Sequence, residues 1–387
     1  MGYHGRFAQR KQPENRRSRE KAGNGTKVLL IVLAVLLVLI LAGLSVVYWF
    51  IQNKFSKMNI VTLPEDTYAY TQATEEFTRP PETQPVQTEE TTAETTAETT
   101  LETTRPPMSA EDIVNILVVG QAARDGESGI MADTTMLVSI NTYTEEVTVF
   151  SILRDSLVNL PAYKGLKGGK NKFTMCYALG YQQNGTAGAM EMTNICLKDN
   201  FGIEVDYNVE VSFDGFIRMI DYLNGVELEL TEAEANYLNK DTLYVQRTIE
   251  PGVQVLQGME ALSYARMRKA AGDGESDIKR TERQRKLVAS LLEKFRYMSL
   301  SELNGWIDEL LPMVTTTMKP ADVTALAAKI LPMVRNLKMQ GETVPVGKTG
   351  WGEMYDIYGD GNLHSVMLFV SSQQKQLIRA ITEAEGN

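Results

Sequence analysis

Residues 28–51 form an unbroken apolar run, VLLIVLAVLLVLILAGLSVVYWFI, that contains no charged residue. At ~1.5 Å of rise per residue, a helix of this length crosses the ~30 Å hydrocarbon layer of a bilayer. The run is longer than the apolar region of a signal peptide, and no small-residue cleavage site follows Tyr48, Trp49 and Phe50. The sequence therefore predicts a transmembrane helix and excludes a purely soluble protein.

The segment before this run, residues 1–27, is basic and contains only Glu14 and Glu20 as acidic residues. Lys and Arg are retained on the cytoplasmic side of a membrane, so this tail is expected inside and everything after the run outside. The formal net charge of the whole chain is −10, which argues against a nucleic-acid-binding protein. We expect a single-pass type II protein of the cell membrane with an extracellular C-terminal domain, whose basic tail also contacts anionic membrane lipid.

Residues 52–110 are rich in Thr, Glu and Pro and include the repeat ETTAETTAETTLETT over 90–104. Large apolar residues are too sparse in this segment to build a packed core. Like charges and prolines favour an extended chain. We therefore expect a disordered linker that holds the outer domain away from the membrane.

The remaining residues, 111–387, alternate short β-branched runs with amphipathic segments. The predicted strands are 113–120, 134–140, 147–152, 205–211 and 226–230. The predicted helices are 174–183, 188–200, 214–224, 258–270, 280–297, 301–311 and 320–334. Strands and helices in this mixed order predict an α/β domain of three layers, α/β/α.

The two cysteines, Cys176 and Cys196, lie in apolar helical patterns on the expected outer side. They either form a disulfide in that compartment or serve as small core residues, and the apolar pattern favours the second. The only histidines are His4 and His364, so a Cys/His metal site is excluded.

Arg154 and Asp155 directly follow the predicted strand 147–152. The C-terminal ends of strands form the rim where open α/β sheets bind ligands, although an Arg-Asp pair in a loop is as often a salt bridge. Asp133 stands at the beginning of another strand, where it is either a metal ligand or a turn residue.

A second candidate region is the arginine-rich stretch YARMRKAAGDGESDIKRTERQR over 264–285. At ~100° per residue, Arg280 and Gln284 fall on the helix face that later carries Val288 and Leu291, and Arg283 and Arg285 fall on its flanks. An arginine on an apolar face needs an anion or a carboxylate, because an unpaired buried charge is costly. Several guanidiniums around one pocket suit a phosphate or pyrophosphate.

Several segments of the outer domain carry a resemblance to known proteins: NILVVG, ADTTM, SILRDSLVNLP, NKFTMCYALG, VEVSFDGFIRMIDYLNGVELEL, LQGMEALSYARMR and DIKRTERQRKL. Together they resemble the LytR-CpsA-Psr family of Gram-positive cell envelopes. The resemblance implies a phosphotransferase that moves an anionic glycopolymer, of teichoic acid or capsule type, from a polyprenyl-pyrophosphate carrier to peptidoglycan. It also implies an apolar tunnel for the polyprenyl chain, partly lined by helix 214–224.

The resemblance assigns roles by motif to residues of this sequence. It implies pyrophosphate contacts from Arg154, Lys172, Arg266, Arg268, Asp277, Arg280 and Gln284. The catalytic candidates among the residues of these motifs are Arg154, Asp155, Arg266 and Arg268, with Asp155 as a base or as a partner of the arginines. The implied cofactor is Mg²⁺, bound by Asp133.

Two positions depart from the family pattern. Family members usually have an aspartate, a second metal ligand, where this chain has Ala122, and an arginine where it has Met131. The loss of a carboxylate weakens the binding of a hard cation unless Asp125 replaces it. Two alternatives to the transferase therefore stay open: a non-enzymatic envelope scaffold or regulator that binds polyprenyl phosphates, and a pyrophosphatase that uses water as acceptor.

Overall fold

The computed structural model describes residues 58–63, 108–109, 112–121, 132–268, 277–346, 350–357 and 362–383. The basic tail, the apolar run 28–51 and most of the linker lie outside these ranges, so the predicted anchor and linker stay predictions. Within the described ranges, no helix combines the length and apolar character needed to cross a membrane.

The described strands follow the chain as β1 to β13. They are β1 Asn59–Ile60, β2 Ile113–Gln121, β3 Ala132–Asn141, β4 Glu146–Ile152, β5 Leu157–Leu160, β6 Gly169–Lys172, β7 Tyr207–Ser212, β8 Val226–Leu230, β9 Gly252–Leu256, β10 Val314–Thr316, β11 Lys338–Val344, β12 Gly350–Tyr355 and β13 His364–Leu368. The helices are α1 Thr174–Phe201, α2 Phe213–Tyr222, α3 Glu232–Lys240, α4 Gly258–Arg266, α5 Asp277–Tyr297, α6 Leu300–Leu310, α7 Pro320–Ile330 and α8 Ser371–Glu383.

A seven-stranded mixed sheet in the order β1-β10-β7-β2-β3-β4-β11 forms the centre of the fold. Strand β2 pairs antiparallel with β3 and parallel with β7, while β4 pairs antiparallel with β3 and parallel with β11. Three further pairs stand apart from this sheet: β5-β6, β8-β9 and β12-β13. The predicted mixed α/β class is confirmed.

Both faces of the central sheet are apolar, because successive side chains of a strand point to opposite faces. Leu117 and Leu137 belong to a core cluster shared with helix α1. Their neighbours Ile116 and Met136 belong to a second cluster, which includes Val288 and Leu292 of helix α5. Helices therefore lie against both faces, as the alternation of elements in the sequence predicts.

Helix α1 is interrupted at Asn184 and Gly185, where the backbone angles leave the helical region. The prediction of two separate helices over 174–183 and 188–200 is thus correct. The two arms approach closely, since a Cβ added to Gly188 would lie 2.3 Å from the carbonyl oxygen of Gly180. Cys176 and Cys196 lie one in each arm, and both are free and buried in the core, in agreement with their interpretation as core residues.

Some boundaries differ from the prediction. The helix expected over 258–270 ends at Arg266, because Met267 adopts an extended ψ of 124°. Arg268 therefore belongs to the connection after the helix. Helix α3 was not predicted, although Thr231 and Glu234 form a capping box at its start, which is a recognisable local signal.

Candidate active site

The residues predicted to bind ligand gather at one edge of the central sheet. Strands β2, β4 and β7 run in the same direction and end at this edge, and β3 begins there. The pairing brings Gly120 beside Thr134, the neighbour of Asp133, and Arg154 follows the end of β4. Chain direction and register alone thus bring segments that are distant in sequence to a single rim.

A cavity of about 610 Å³ opens between the sheet and helices α2, α3, α4 and α5. Its volume lies within the range that encloses a small ligand. Apolar side chains from three strands and from helices α2, α4 and α5 line most of it: Val118, Val119, Met136, Val211, Phe213, Phe216, Met219, Leu262, Leu287, Val288 and Leu291. Charged and amide side chains also line it: Asp133, Asp241, Arg266, Arg268, Arg280 and Gln284.

Helix α5 gives this cavity a polar and an apolar end. Arg280, Gln284, Leu287 and Leu291 all line the cavity from successive turns of the helix. At ~1.5 Å per residue, Arg280 and Leu291 lie ~16 Å apart along the axis. A ligand with an anionic head and a hydrocarbon tail matches this gradient.

Arg280 is buried, with 4% of its surface exposed. Its Nη2 lies 3.4 Å from Asp277 Oδ2, and its buried Nε has no hydrogen-bond partner in the described part of the chain. Burial lowers the pKa of this guanidinium; Asp277 opposes the shift, Arg154 and Arg268 add to it, and Asp133 opposes it. An anion in the cavity would offset the repulsion among these guanidiniums.

A chain of ion pairs connects Arg280 to the end of β4. Asp277 Oδ2 accepts a hydrogen bond of 2.9 Å from Arg154 Nε. Arg154 Nε also lies 3.5 Å from Asp155 Oδ2, and Asp155 Oδ1 accepts 2.8 Å from Lys172 Nζ. The structure therefore brings Arg154, Asp155, Lys172, Asp277 and Arg280 into one continuous network.

Arg266 stands at the last position of helix α4, within cation–π distance of two aromatic rings. Its guanidinium carbon lies 5.1 Å from the ring centroid of Phe213 and 5.7 Å from that of Tyr244. Its Nη1 donates 2.9 Å to the Tyr244 hydroxyl. Gln284 is fixed in the same wall, because its Nε2 donates to Thr134 Oγ1 at 2.8 Å and to the Ala265 carbonyl at 3.2 Å.

Arg283 and Arg285, the arginines on the flanks of this helix face, do not line the cavity. Arg283 is buried and pairs through Nε with Glu234 Oε1 at 2.8 Å. Arg285 Nη1 donates to Ser151 Oγ at 2.8 Å and to Thr343 Oγ1 at 3.1 Å, across strands β4 and β11. Their contacts hold the helix to the rest of the domain, and Arg280 and Gln284 are the polar positions of this helix that line the cavity.

A metal ion would find few ligands among the described residues. Asp133 lines the cavity beside the arginines, and nowhere in the described ranges do three or more His, Cys, Asp or Glu side chains gather as a ligand set. Ala122, Asp125 and Met131 lie outside those ranges. A single carboxylate fits Mg²⁺ only when the remaining ligands are phosphate oxygens and water.

The sequence patterns do not predict the part of the cavity wall that helix α3 and the following turn form. Tyr237, Asp241 and Tyr244 line the cavity from helix α3 and the turn that follows it, and Ser263 adds its hydroxyl from helix α4. The capping box of α3 would have located the helix, but no local signal shows which of its residues face Arg266.

The sequence model of the LytR_cpsA_psr (LytR-CpsA-Psr) family matches residues 80–375. One curated relative is "Polyisoprenyl-teichoic acid--peptidoglycan teichoic acid transferase TagT" of Bacillus subtilis (strain 168), 29% identical over 233 residues. That match spans 59% of this chain and 66% of the relative, just under two thirds of its length.

Two solved structures share the fold. "TagT bound to LIIa-WTA" is 24% identical, with a TM-score of 0.53 over 71% of this chain and 91% of that chain. "LytR-CPS2A-psr family protein YwtF (TagT) with bound octaprenyl pyrophosphate lipid" is 21% identical, with a TM-score of 0.50 over the same shares of the two chains. The mixed α/β architecture is therefore that of solved LytR-CpsA-Psr structures.

Proposed function

The chain belongs to the LytR-CpsA-Psr family, and from this membership we propose that it transfers an anionic glycopolymer from a polyprenyl-pyrophosphate carrier to peptidoglycan. The observation that carries the proposal is the buried Arg280, which lines the polar end of an apolar cavity. The curated relative's name supports the reaction class. A bound octaprenyl pyrophosphate in a structure of the same fold supports the ligand class.

In this proposal the carrier lies along helix α5. Its hydrocarbon chain contacts Leu287, Val288 and Leu291, where burial of apolar surface favours binding. Its pyrophosphate lies among Arg266, Arg268, Arg280 and Gln284. Several guanidiniums stabilise the charge that phosphoryl transfer places on the phosphate oxygens.

Transfer makes one phosphorus–oxygen bond and breaks another. A muramyl hydroxyl of peptidoglycan attacks the phosphorus that carries the glycan, the bridging bond of the pyrophosphate breaks, and polyprenyl monophosphate leaves. The hydroxyl proton must be accepted, and Asp155 is the candidate carboxylate at this rim. The contacts of Asp155 with Arg154 and Lys172 also suit the alternative role of holding these cations in place.

We propose Mg²⁺ as the cofactor, with Asp133 as its protein ligand and phosphate oxygens and water as the others. When bound, the ion would neutralise charge on the transferring phosphate. Since Ala122 lacks a carboxylate, affinity for the ion should depend strongly on the substrate. The double variant Ala122→Asp with Met131→Arg is expected to raise metal-dependent transfer and to lower the Mg²⁺ concentration at half-maximal rate.

We further propose that the protein is anchored by residues 28–51 as a single-pass type II membrane protein. The uncharged run and the basic tail before it support this topology. The catalytic domain would then lie outside the cell, on the side where peptidoglycan is assembled. Protease digestion of intact and lysed cells tests this topology, and degradation of the C-terminal domain only after lysis would refute it.

The experiment for the proposed activity follows labelled, carrier-linked glycan into peptidoglycan, with and without Mg²⁺. We expect label in peptidoglycan only with the ion present. Binding of the carrier without transfer, in the wild type and in the double variant alike, would instead favour the envelope scaffold or regulator. Release of the label as soluble glycan phosphate would favour the pyrophosphatase.

A further inference from the structure

We infer that Tyr244 is a positioning residue that holds Arg266 in place for phosphate recognition, an inference that rests on the proposed function. The Tyr244 hydroxyl accepts a 2.9 Å hydrogen bond from Arg266 Nη1, and its ring lies 5.7 Å from the guanidinium carbon. The ring centroid of Phe213 lies 5.1 Å from the same guanidinium carbon. Stacking and a hydrogen bond together restrict both the place and the orientation of the planar group.

The turn that carries Tyr244 is itself tied to the helix that carries Arg266. Asp241 Oδ2 accepts a 2.5 Å hydrogen bond from Ser263 Oγ, and Ser263 lies one turn before Arg266 in helix α4. The carbonyl oxygen of Asp241 accepts from the backbone N–H groups of Tyr244 at 3.0 Å and Val245 at 2.9 Å. The turn that carries Tyr244 is therefore bound to helix α4 at two positions, Ser263 and Arg266.

This arrangement has a consequence for affinity. A guanidinium has five N–H donors, and the contact with Tyr244 takes one of them, which leaves the others for phosphate oxygens. A free arginine side chain loses considerable rotamer freedom when it binds an anion. Because Tyr244 and Phe213 restrict Arg266 before the ligand arrives, much of this cost is met during folding, and binding is correspondingly tighter.

The variant Tyr244→Phe isolates the effect, since it keeps the aromatic ring in the cavity wall and removes only the hydroxyl. We expect geranylgeranyl pyrophosphate to bind up to about tenfold more weakly to this variant, because the binding step must then meet the cost of ordering the Arg266 side chain. Geranylgeraniol, which has the same tail and no phosphate, should bind equally well to both proteins. A merely structural defect in the cavity would weaken both ligands together.

The measurement is calorimetric titration of the full-length protein in detergent with these two ligands. Tyr297→Phe is the matched control, because Tyr297 is 83% exposed at the end of helix α5 and should leave both affinities unchanged. A double-mutant cycle adds Arg266→Ala. If Tyr244 acts through Arg266, removing its hydroxyl should have no further effect once Arg266 is gone.

The outcomes separate this inference from the proposed function. Equal affinity of wild type and Tyr244→Phe for geranylgeranyl pyrophosphate would overturn the inference and leave the proposed function standing. An undiminished effect of Tyr244→Phe in the Arg266→Ala background would also overturn it, since Tyr244 would then act directly. A wild type that does not bind geranylgeranyl pyrophosphate at all would overturn the proposed function and the inference together.

Discussion

Two arginines three positions apart on helix α5 should respond in opposite ways to the same substitution. Arg283 pairs with Glu234, and both side chains are about 95% buried, since 5% and 6% of them are exposed. Burial opposes ionisation of Glu234, but hydrogen bonds from Thr231 and Arg283 outweigh it and lower its pKa. Arg283→Met leaves this carboxylate buried without its partner, which costs ~3 kcal/mol at the low end for such pairs.

Arg280→Met removes a buried guanidinium whose Nε has no partner, and Asp277 keeps its hydrogen bond from Arg154, so the folded protein loses little. We expect its melting temperature to stay within ~2 °C of the wild type, whereas Arg283→Met should melt ~6–12 °C lower, at ~2–4 °C per kcal/mol. Binding should show the reverse, with a loss of ~100-fold for Arg280→Met, since each charged contact contributes ~1.5–3 kcal/mol. Scanning calorimetry and titration with geranylgeranyl pyrophosphate measure the two effects, and equal destabilisation by both variants would refute the reasoning.

Two further predictions concern the opposite face of the sheet. Burial raises the pKa of Glu210, and the hydrogen bond from Tyr177 offsets this rise only in part. A carboxyl group whose pKa is raised by folding stabilises the folded protein at low pH. This contribution is lost as the pH rises through the pKa of the group in the folded protein. Glu210→Gln should therefore melt at a higher temperature than the wild type at neutral pH, with a difference that disappears in acid; a pH-independent difference would contradict this. Gly188→Ala would place a Cβ 2.3 Å from the carbonyl oxygen of Gly180. The free energy of unfolding, measured by urea titration, should therefore fall by ~1–3 kcal/mol. An unchanged free energy of unfolding would show that the arms of α1 separate freely.

The central strands and the long helices could be predicted from the sequence because each has a clear period. The helical spacing also predicted correctly that Arg280 lines the cavity. An arginine on the apolar face of a helix needs an anion or a carboxylate nearby, because an unpaired buried charge is costly. Strand order could not be predicted: β11 pairs with β4 across nearly two hundred residues, and nothing local in either strand specifies this. The partners of Arg266 were missed for the same reason, because Tyr244 meets it only through packing of α3 and α4.

The most direct test of the central claim is the balance of products from a carrier-linked glycan that is labelled in the phosphate attached to the glycan. The full-length protein is incubated with the carrier, purified peptidoglycan and Mg²⁺, and the label in peptidoglycan is compared with the polyprenyl monophosphate released. The proposed transfer predicts equal molar amounts of the two, and neither product with Arg280→Met. Polyprenyl monophosphate formed without label in peptidoglycan, or tight binding with no products at all, would contradict it.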